Sequence, residues 1–199
     1  MTARATLTRA GLLRATLAGG AVVAGGVAIG ARSGGGASYA APSKDSDTEI
    51  LRLFLLLERV QEDLYRAAVD SGRLTGDLRK FAETTLVQER RHAAFVAERL
   101  QDDGGERPRT SFAEAVATPA SFRSAAIELE EAAIAAYVGQ GANLTHEVIA
   151  PVAALVSVEA RQAAWIRDIA GRNGAPNAAD PARKPDEVLS GLREKGWLR

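Results

Sequence analysis

The stretch Glu89-Arg90-Arg91-His92 decides the predicted fold of this chain. It lies within a pattern of apolar residues with helical periodicity, and both Glu89 and His92 fall on the side of the helix that should be buried. A bare carboxylate and an imidazole in a core cost several kcal/mol unless a partner compensates them. A metal ion is one such partner, because two groups three residues apart on a helix point at one spot.

Polar residues on faces that should be buried occur in four segments of the chain, which form two matching pairs. Two segments have a glutamate and a tyrosine seven residues apart, and two have a glutamate followed three residues later by His or Gln. The separation within the first pair of segments is nearly the same as that within the second, which indicates a weak internal repeat of a helix pair. The residues are Glu58 with Tyr65, Glu130 with Tyr137, Glu89 with His92, and Glu159 with Gln162.

Hydrophobic periodicity predicts an all-α chain with four long helices, A to D, and no alternation typical of strands. Helix A should begin at a capping box formed by Ser46 and Glu49 and end at Ser71-Gly72. Helix D should carry Pro151 in its first turn, where a missing N–H costs little. The spans expected for helices B, C and D are residues 77–101, 121–138 and 151–170.

Two shorter helices are expected outside these spans. Ser111 and Glu114 have the spacing of a second capping box, which predicts a short helix that stops before Pro119. Residues 172–199 should form an extended tail that contains one last short helix over residues 185–194.

The N-terminal segment, residues 1–40, is predicted to be a signal peptide or an N-terminal anchor. Arginines but no acidic residues surround an apolar run over residues 15–30, about as long as a signal-peptide core and short for a membrane span. The start resembles a twin-arginine signal in which Ala10 replaces the second arginine. We therefore expect export to the periplasm, the cell envelope or the extracellular space, and membrane contact only through this segment.

Charge and cysteine content limit the partners of the chain. It has 25 basic and 25 acidic residues, and removing residues 1–40 takes away four arginines, which leaves 21 against 25 and a net charge of −4. That balance argues against nucleic acid as a partner. The absence of cysteine excludes disulfides and thiolate metal sites, so carboxylate, imidazole and amide remain as ligands.

A bundle with one glutamate from each of two helices and Glu-x-x-His from the other two is the arrangement of di-iron and di-manganese carboxylate proteins. Over about residues 46–195 the chain resembles the ferritin-like superfamily, and most closely its bacterial desiccation-related branch. The matching pieces are Leu57-Glu58 with Tyr65, Glu89-x-x-His92, Leu129-Glu130-Glu131 with Ala136-Tyr137-Val138-Gly139, Val158-Glu159-Ala160-Arg161-Gln162-Ala163-Ala164-Trp165, and Pro185-Asp186-Glu187-Val188-Leu189.

The resemblance implies a ferritin-like four-helix bundle over residues 41–171, with two antiparallel helix pairs and a long crossover from helix B to helix C. It implies two iron or manganese ions. Glu58 and His92 would be terminal ligands of one ion and Glu130 of the other, while the remaining two glutamates, Glu89 and Glu159, would bridge. Gln162 stands where the family pattern has His, so the second ion should bind less tightly or not at all.

Two functions remain open from the sequence. One is an exported di-metal oxidoreductase that oxidises Fe(II) or handles peroxide under stress, with dioxygen or peroxide as its partner. The other is a non-enzymatic stress or structural bundle whose metal site has decayed, which Gln162 favours. Any one of the glutamates could instead be paired with Arg or Lys, and Glu62 could be an additional ligand. The tyrosines are expected to donate hydrogen bonds to the carboxylates, and self-association of the chain is left open.

Overall fold

The computed structural model describes residues 41–101 and 105–199, and the predicted signal segment lies outside them. Within the described ranges the chain is all-α, and its one β-type pairing is an isolated bridge between Thr110 and Leu198. None of the described helices is both long enough and apolar enough to cross a membrane. The elements are α1 (Lys44–Asp70), α2 (Gly76–Leu100), α3 (Pro119–Gln140), a 3-10 turn (Gly141–Asn143), α4 (His146–Ile169) and α5 (Pro185–Glu194).

Paired contacts give the directions of the long helices. Tyr65 of α1 reaches Glu130 of α3, whereas Glu58 reaches Tyr137, so α1 and α3 run antiparallel. The short connection over residues 71–75 makes α1 and α2 antiparallel as well. As a result α2 and α3 are parallel, and the segment between them must cross the bundle from one end to the other. The predicted bundle with a long crossover and a short C-terminal helix is therefore confirmed.

Three predicted helix starts were wrong, and in each case a different cap or turn explains the difference. Helix α1 begins earlier because Ser43, not Ser46, is the N-cap, and the side chains of these two serines bond each other's backbone N–H. Helix α3 begins at Pro119 because Thr118 and Ser121 form the same reciprocal box. The third case is α4, whose first residue is His146.

Helix α4 continues through Pro151 instead of starting near it. Proline cannot donate to the carbonyl of Glu147, and because this turn faces solvent, water can replace that hydrogen bond. The short helix predicted at Ser111 and Glu114 was also wrong. The chain makes only a turn there, with the Val116 N–H donating to the Phe112 carbonyl, and then enters α3.

Two clusters of buried apolar side chains lie on either side of the buried glutamates. Along α2, one cluster ends at Leu86 and the other begins at Ala93, so Glu89 and His92 lie between them. Burial of one large apolar side chain contributes about 1.5–3 kcal/mol, and the two clusters together offset the cost of the polar centre. The sequence places this polar layer at the middle of the bundle, where water is excluded.

The C-terminal tail closes back on the bundle at two places. The Arg183 N–H donates to the Ala135 carbonyl of α3 at 2.9 Å, next to Gly139. At its end the chain pairs with the crossover: the Ser111 N–H donates to Trp197, and the Arg199 N–H donates to the Arg109 carbonyl. These backbone bonds fix both the tail and the crossover.

Substituting Gly139→Ala should lower the free energy of unfolding by about 1–3 kcal/mol. An added Cβ would lie 2.1 Å from the Arg183 carbonyl oxygen, so the tail must move away from α3. The control is Gly141→Ala, because no described atom lies within 4 Å of a Cβ there and the backbone is in the right-handed helical region. Urea unfolding of both variants tests this. A Gly→Ala substitution in a helix normally stabilises the protein, by up to about 1 kcal/mol. If the Gly139→Ala protein were as stable as the Gly141→Ala protein, the close contact between Gly139 and Arg183 would be contradicted.

Candidate metal centre

Four buried donor atoms from three helices face one another at the centre of the bundle. Glu58 comes from α1, Glu89 and His92 from α2, and Glu159 from α4, and their donor atoms all lie within 4.8 Å of one another. His92 Nδ1 lies 2.8 Å from Glu159 Oε1, 3.3 Å from Glu58 Oε2 and 3.5 Å from Glu89 Oε2. The structure thus brings together four of the six site residues predicted from the sequence.

The close polar contacts of the four facing atoms are with one another. Glu58 Oε2, Glu89 Oε2, Glu159 Oε1 and His92 Nδ1 make no hydrogen bond to any other described residue, and the nearest pair is His92 Nδ1 with Glu159 Oε1 at 2.8 Å. Three buried carboxylate oxygens that face one another need a cation between them, either protonated His92 or a metal ion. Three carboxylate oxygens and one imidazole nitrogen therefore fit a single divalent ion.

Each inward-facing carboxylate is aimed by a hydrogen bond to its other oxygen. The donors are a tyrosine hydroxyl and two glutamine amides, all from neighbouring helices. These bonds fix the orientation of the three carboxylates whether or not an ion is bound. The pairs are Tyr137 with Glu58 Oε1, Gln162 Nε2 with Glu89 Oε1 at 2.8 Å, and Gln61 Nε2 with Glu159 Oε2 at 2.8 Å.

Glu130 lies beside the four donors and belongs to the same buried layer. Its Oε1 accepts a hydrogen bond from the Tyr65 hydroxyl, and its Oε2 lies 3.3 Å from Gln61 Nε2, which donates to it. Both oxygens are therefore partnered, unlike the inward oxygens of the other glutamates. Gln162 likewise points its nitrogen at Glu89 and, at 3.0 Å, at Gln88. That Glu130 and Gln162 ligate an ion stays a prediction.

Gln61 is the one residue of this centre that the sequence analysis did not find. It is fully buried, and its amide joins Glu159 to Glu130. The available signal was its spacing of three residues from Glu58, the same as that between Glu159 and Gln162.

Glu62, the next residue along the chain, had been considered as an additional ligand. It instead pairs with Arg66, with Arg90 at 3.2 Å and with Arg107 of the crossover at 2.8 Å. Burial alone would raise the pKa of Glu62, but these arginines outweigh it and lower that pKa. Glu62 therefore anchors the crossover and lies outside the centre.

The pKa values of the centre reflect four buried carboxyl groups close to one another and to His92. Burial, and then the neighbouring carboxylates, raise the pKa values of Glu89, Glu130 and Glu159. Burial alone would lower the pKa of His92, but three adjacent carboxylates outweigh it and raise that pKa to about 12. Without an ion, protonated His92 is therefore the counter-charge of the cluster.

The two tyrosines of the centre stay protonated. Burial and the adjacent carboxylates, Glu130 for Tyr65 and Glu58 for Tyr137, raise both tyrosine pKa values well above the ordinary one. Each hydroxyl therefore acts as a hydrogen-bond donor, as the sequence analysis expected. The second histidine, His146, is exposed at the first position of α4, away from this layer.

Comparison with known proteins supports the same assignment of the fold. A family model described as a ferritin-like domain matches residues 46–172, which include every residue of the centre. None of the curated proteins compared with the chain matches it.

Proposed function

Since this chain belongs to the family of ferritin-like domains, we propose that its buried cluster binds iron or manganese and serves to oxidise Fe(II) or to consume peroxide. The observation that carries the proposal is the convergence of four buried donor atoms that make no hydrogen bond to any described residue outside the group. Oxygen-rich sites with one imidazole suit iron and manganese better than the softer metals. A bound ion of this kind would supply a one-electron redox couple in a site from which water is excluded.

The residues of the chain have distinct roles in this proposal. Glu58, Glu89, Glu159 and His92 would hold the ion. Because the pKa of His92 is raised to about 12, its imidazole must lose a proton before Nδ1 can act as a ligand, so metal binding should release protons. His92 is also the least buried of the four, with 8% of its side chain exposed against 0% for the glutamates, so it is the member of the group that solvent contacts directly.

We place this activity outside the cytoplasm, in the context of desiccation or oxidative stress. Residues 1–40 support the location by their resemblance to an export signal, and the motifs shared with the desiccation-related branch support the context. Fractionation of cells that express the full chain, with sequencing of the mature N-terminus, tests the location.

A non-enzymatic stress or structural bundle is the second candidate. The observation that favours it is the pair of glutamines: Gln61 and Gln162 donate to three of the glutamates, and protonated His92 supplies a positive charge. The polar layer can therefore be held together without an ion.

Metal loading followed by air oxidation separates the two candidates. We expect the chain lacking residues 1–40 to retain Fe(II) or Mn(II) after anaerobic dialysis, and to be stabilised by about 2.7 kcal/mol at a free-metal concentration 100 times Kd. Fe(II) should then be oxidised faster than in buffer. Glu62→Gln, which alters a buried carboxylate outside the cluster, is the control for metal retention. Retention of metal without Fe(II) oxidation in air and without consumption of added peroxide would leave the structural function. No retention at all would refute metal binding.

A further inference from the structure

We infer that the cluster holds one ion, and that the side-chain amide of Gln61 takes the place of the second ion predicted from the sequence. This inference rests on the proposed metal binding. It concerns the number of ions and assigns to Gln61, which no comparison singles out, the role of excluding one of them.

The first step is an inventory of the carboxylate oxygens. Three of them, one each from Glu58, Glu89 and Glu159, have no partner among the described residues other than the His92 imidazole that they face. The other oxygen of each of these residues accepts a hydrogen bond, and both oxygens of Glu130 do so as well. Every carboxylate oxygen of the centre that remains open is therefore directed at one point, and the other open oxygens of the centre are the neutral amide oxygens of Gln61 and Gln162.

The second step is the position of Gln61. Its Nε2 lies 2.8 Å from Glu159 Oε2 and 3.3 Å from Glu130 Oε2, so the two hydrogens of one NH₂ group satisfy two carboxylates. These are two of the three glutamates that the second ion of the predicted pair would have to join, the third being Glu89. An ion at this point would displace the NH₂ group and leave it unpaired in a fully buried site, at a cost of about 1–3 kcal/mol.

The third step is the internal repeat, which identifies how the two halves differ. Glu58 and Glu130 are equivalent positions of the repeat, and each accepts a hydrogen bond from the tyrosine seven residues after the other. Gln61 follows Glu58 by three residues, and the residue that follows Glu130 by three is Ala133, which is also fully buried. One half of the centre thus has a small side chain where the other has an amide.

The other difference between the halves is His92, whose equivalent in the repeat is Gln162, since each follows its glutamate by three residues. In the repeat, Gln61 and His92 belong to the same half, and Ala133 and Gln162 belong to the other. In space, however, the Gln61 amide lies between Glu130 and Glu159, so the point beside Glu130 has an amide and no imidazole. The point beside Glu58 has His92. The double substitution Gln61→Ala with Gln162→His makes the two halves alike, and it should create the missing second site.

The test is an anaerobic Mn(II) titration by calorimetry, combined with electron paramagnetic resonance of the loaded proteins. We expect one ion per chain with an isolated Mn(II) signal in the wild type. In the double variant we expect two ions per chain and the exchange-coupled signal of neighbouring ions. Gln88→Ala, which removes only the outer contact of Gln162, is the matched control and should stay at one ion.

The outcomes separate the inference from the proposed function. Two ions in the wild type would overturn the single-ion inference, and no binding in any variant would overturn the proposed metal binding. One ion in both wild type and double variant would overturn the role assigned to Gln61. If the double variant does not fold, Gln61→Ala is exchanged for Gln61→Leu, which keeps the volume of the side chain but removes its hydrogen-bond donors. The double variant Gln61→Leu with Gln162→His should also bind two ions. Binding of only one ion would again overturn the role assigned to Gln61.

Discussion

Replacing His92 by alanine is expected to lower the affinity of the cluster for Mn(II) by at least about 100-fold, since loss of outer hydrogen-bond partners alone typically costs 10–100-fold. His92 is the single nitrogen among the four converging donors, and its Nδ1 lies within 3.5 Å of all three carboxylates. Its removal leaves three oxygens without a fourth donor. Anaerobic calorimetry with Mn(II) measures the change.

The other histidine of the chain provides the control. His146→Ala removes an exposed side chain at the start of α4 and should leave the Mn(II) affinity unchanged. Equal affinities of the two alanine variants would show that the ion binds elsewhere in the chain.

The His92→Ala substitution should also lower the free energy of unfolding of the metal-free protein at neutral pH. The pKa of His92 in the folded protein is raised to about 12, above its ordinary value. The contribution of protonated His92 to the free energy of unfolding is therefore fully present below the ordinary pKa. It decreases as the pH rises from the ordinary pKa and is lost at about pH 12. Removing one partner of a buried charge pair costs about 3–5 kcal/mol of stability. Unfolding of the His92→Ala variant would therefore lower the fraction of protein that can bind Mn(II). Affinities must therefore be compared under conditions where circular dichroism shows the variant to be folded.

Replacing Glu130 by glutamine should have the opposite effect on the metal-free protein and stabilise it by about 1–4 kcal/mol near pH 8. Burial and the neighbouring Glu159 raise the pKa of Glu130 well above its ordinary value. The unfolded chain ionises near the ordinary pKa, so the cost of burying Glu130 appears above that pH and grows as the pH rises. A neutral amide has no such cost, and its oxygen can still accept the hydrogen bond from Tyr65. Its NH₂ group would then face the donor Gln61 Nε2, and loss of that hydrogen bond offsets part of the gain.

Urea unfolding of metal-free protein between pH 5 and 8 tests this prediction, with Glu98→Gln as the control at an exposed position of α2. The difference between Glu130→Gln and wild type should widen with pH, whereas the control should stay within about 0.5 kcal/mol of wild type. Mn(II) affinity should change little, because both oxygens of Glu130 are already partnered within the protein. A constant or negative difference across this pH range would contradict the raised pKa.

The existence and order of the helices could be predicted from the sequence, because helical periodicity extends over many residues. Their starts could not, because a cap depends on one or two side chains. Ser43 and Ser46 both allow an N-cap, and only the backbone geometry selects Ser43. Pro151 was taken as a helix start because proline suits that position, yet a single missing N–H on an exposed turn does not end a helix.

The residues of the candidate site that occupy matched positions in the two halves of the internal repeat could be predicted from the sequence. Glu58, Glu89, His92 and Glu159 were found because each stands at a matched spacing on a buried face. Gln61 was not found because it is adjacent to Glu62 in the sequence and both lie near the edge of the buried face of the helix. Helical periodicity alone does not decide which of the two side chains points into the core. Tertiary contacts decide it: Arg90 of α2 and Arg107 of the crossover pair with Glu62 on the outer side, where Arg66 of the same helix also lies. The predicted boundaries of the signal segment, bundle and tail stay predictions.

The pairing of residues 197–199 with the crossover determines which parts of the fold can form early. Leu198 is buried and bridges Thr110, and Arg199 donates to the Arg109 carbonyl, so the crossover lacks these partners until a segment far along the chain has been synthesised. The hairpin of α1 and α2 needs only residues that are close in the sequence and can form before that. Completion of the crossover therefore depends on contacts of high sequence separation, which form slowly and leave the folding chain open to misassembly until they are made.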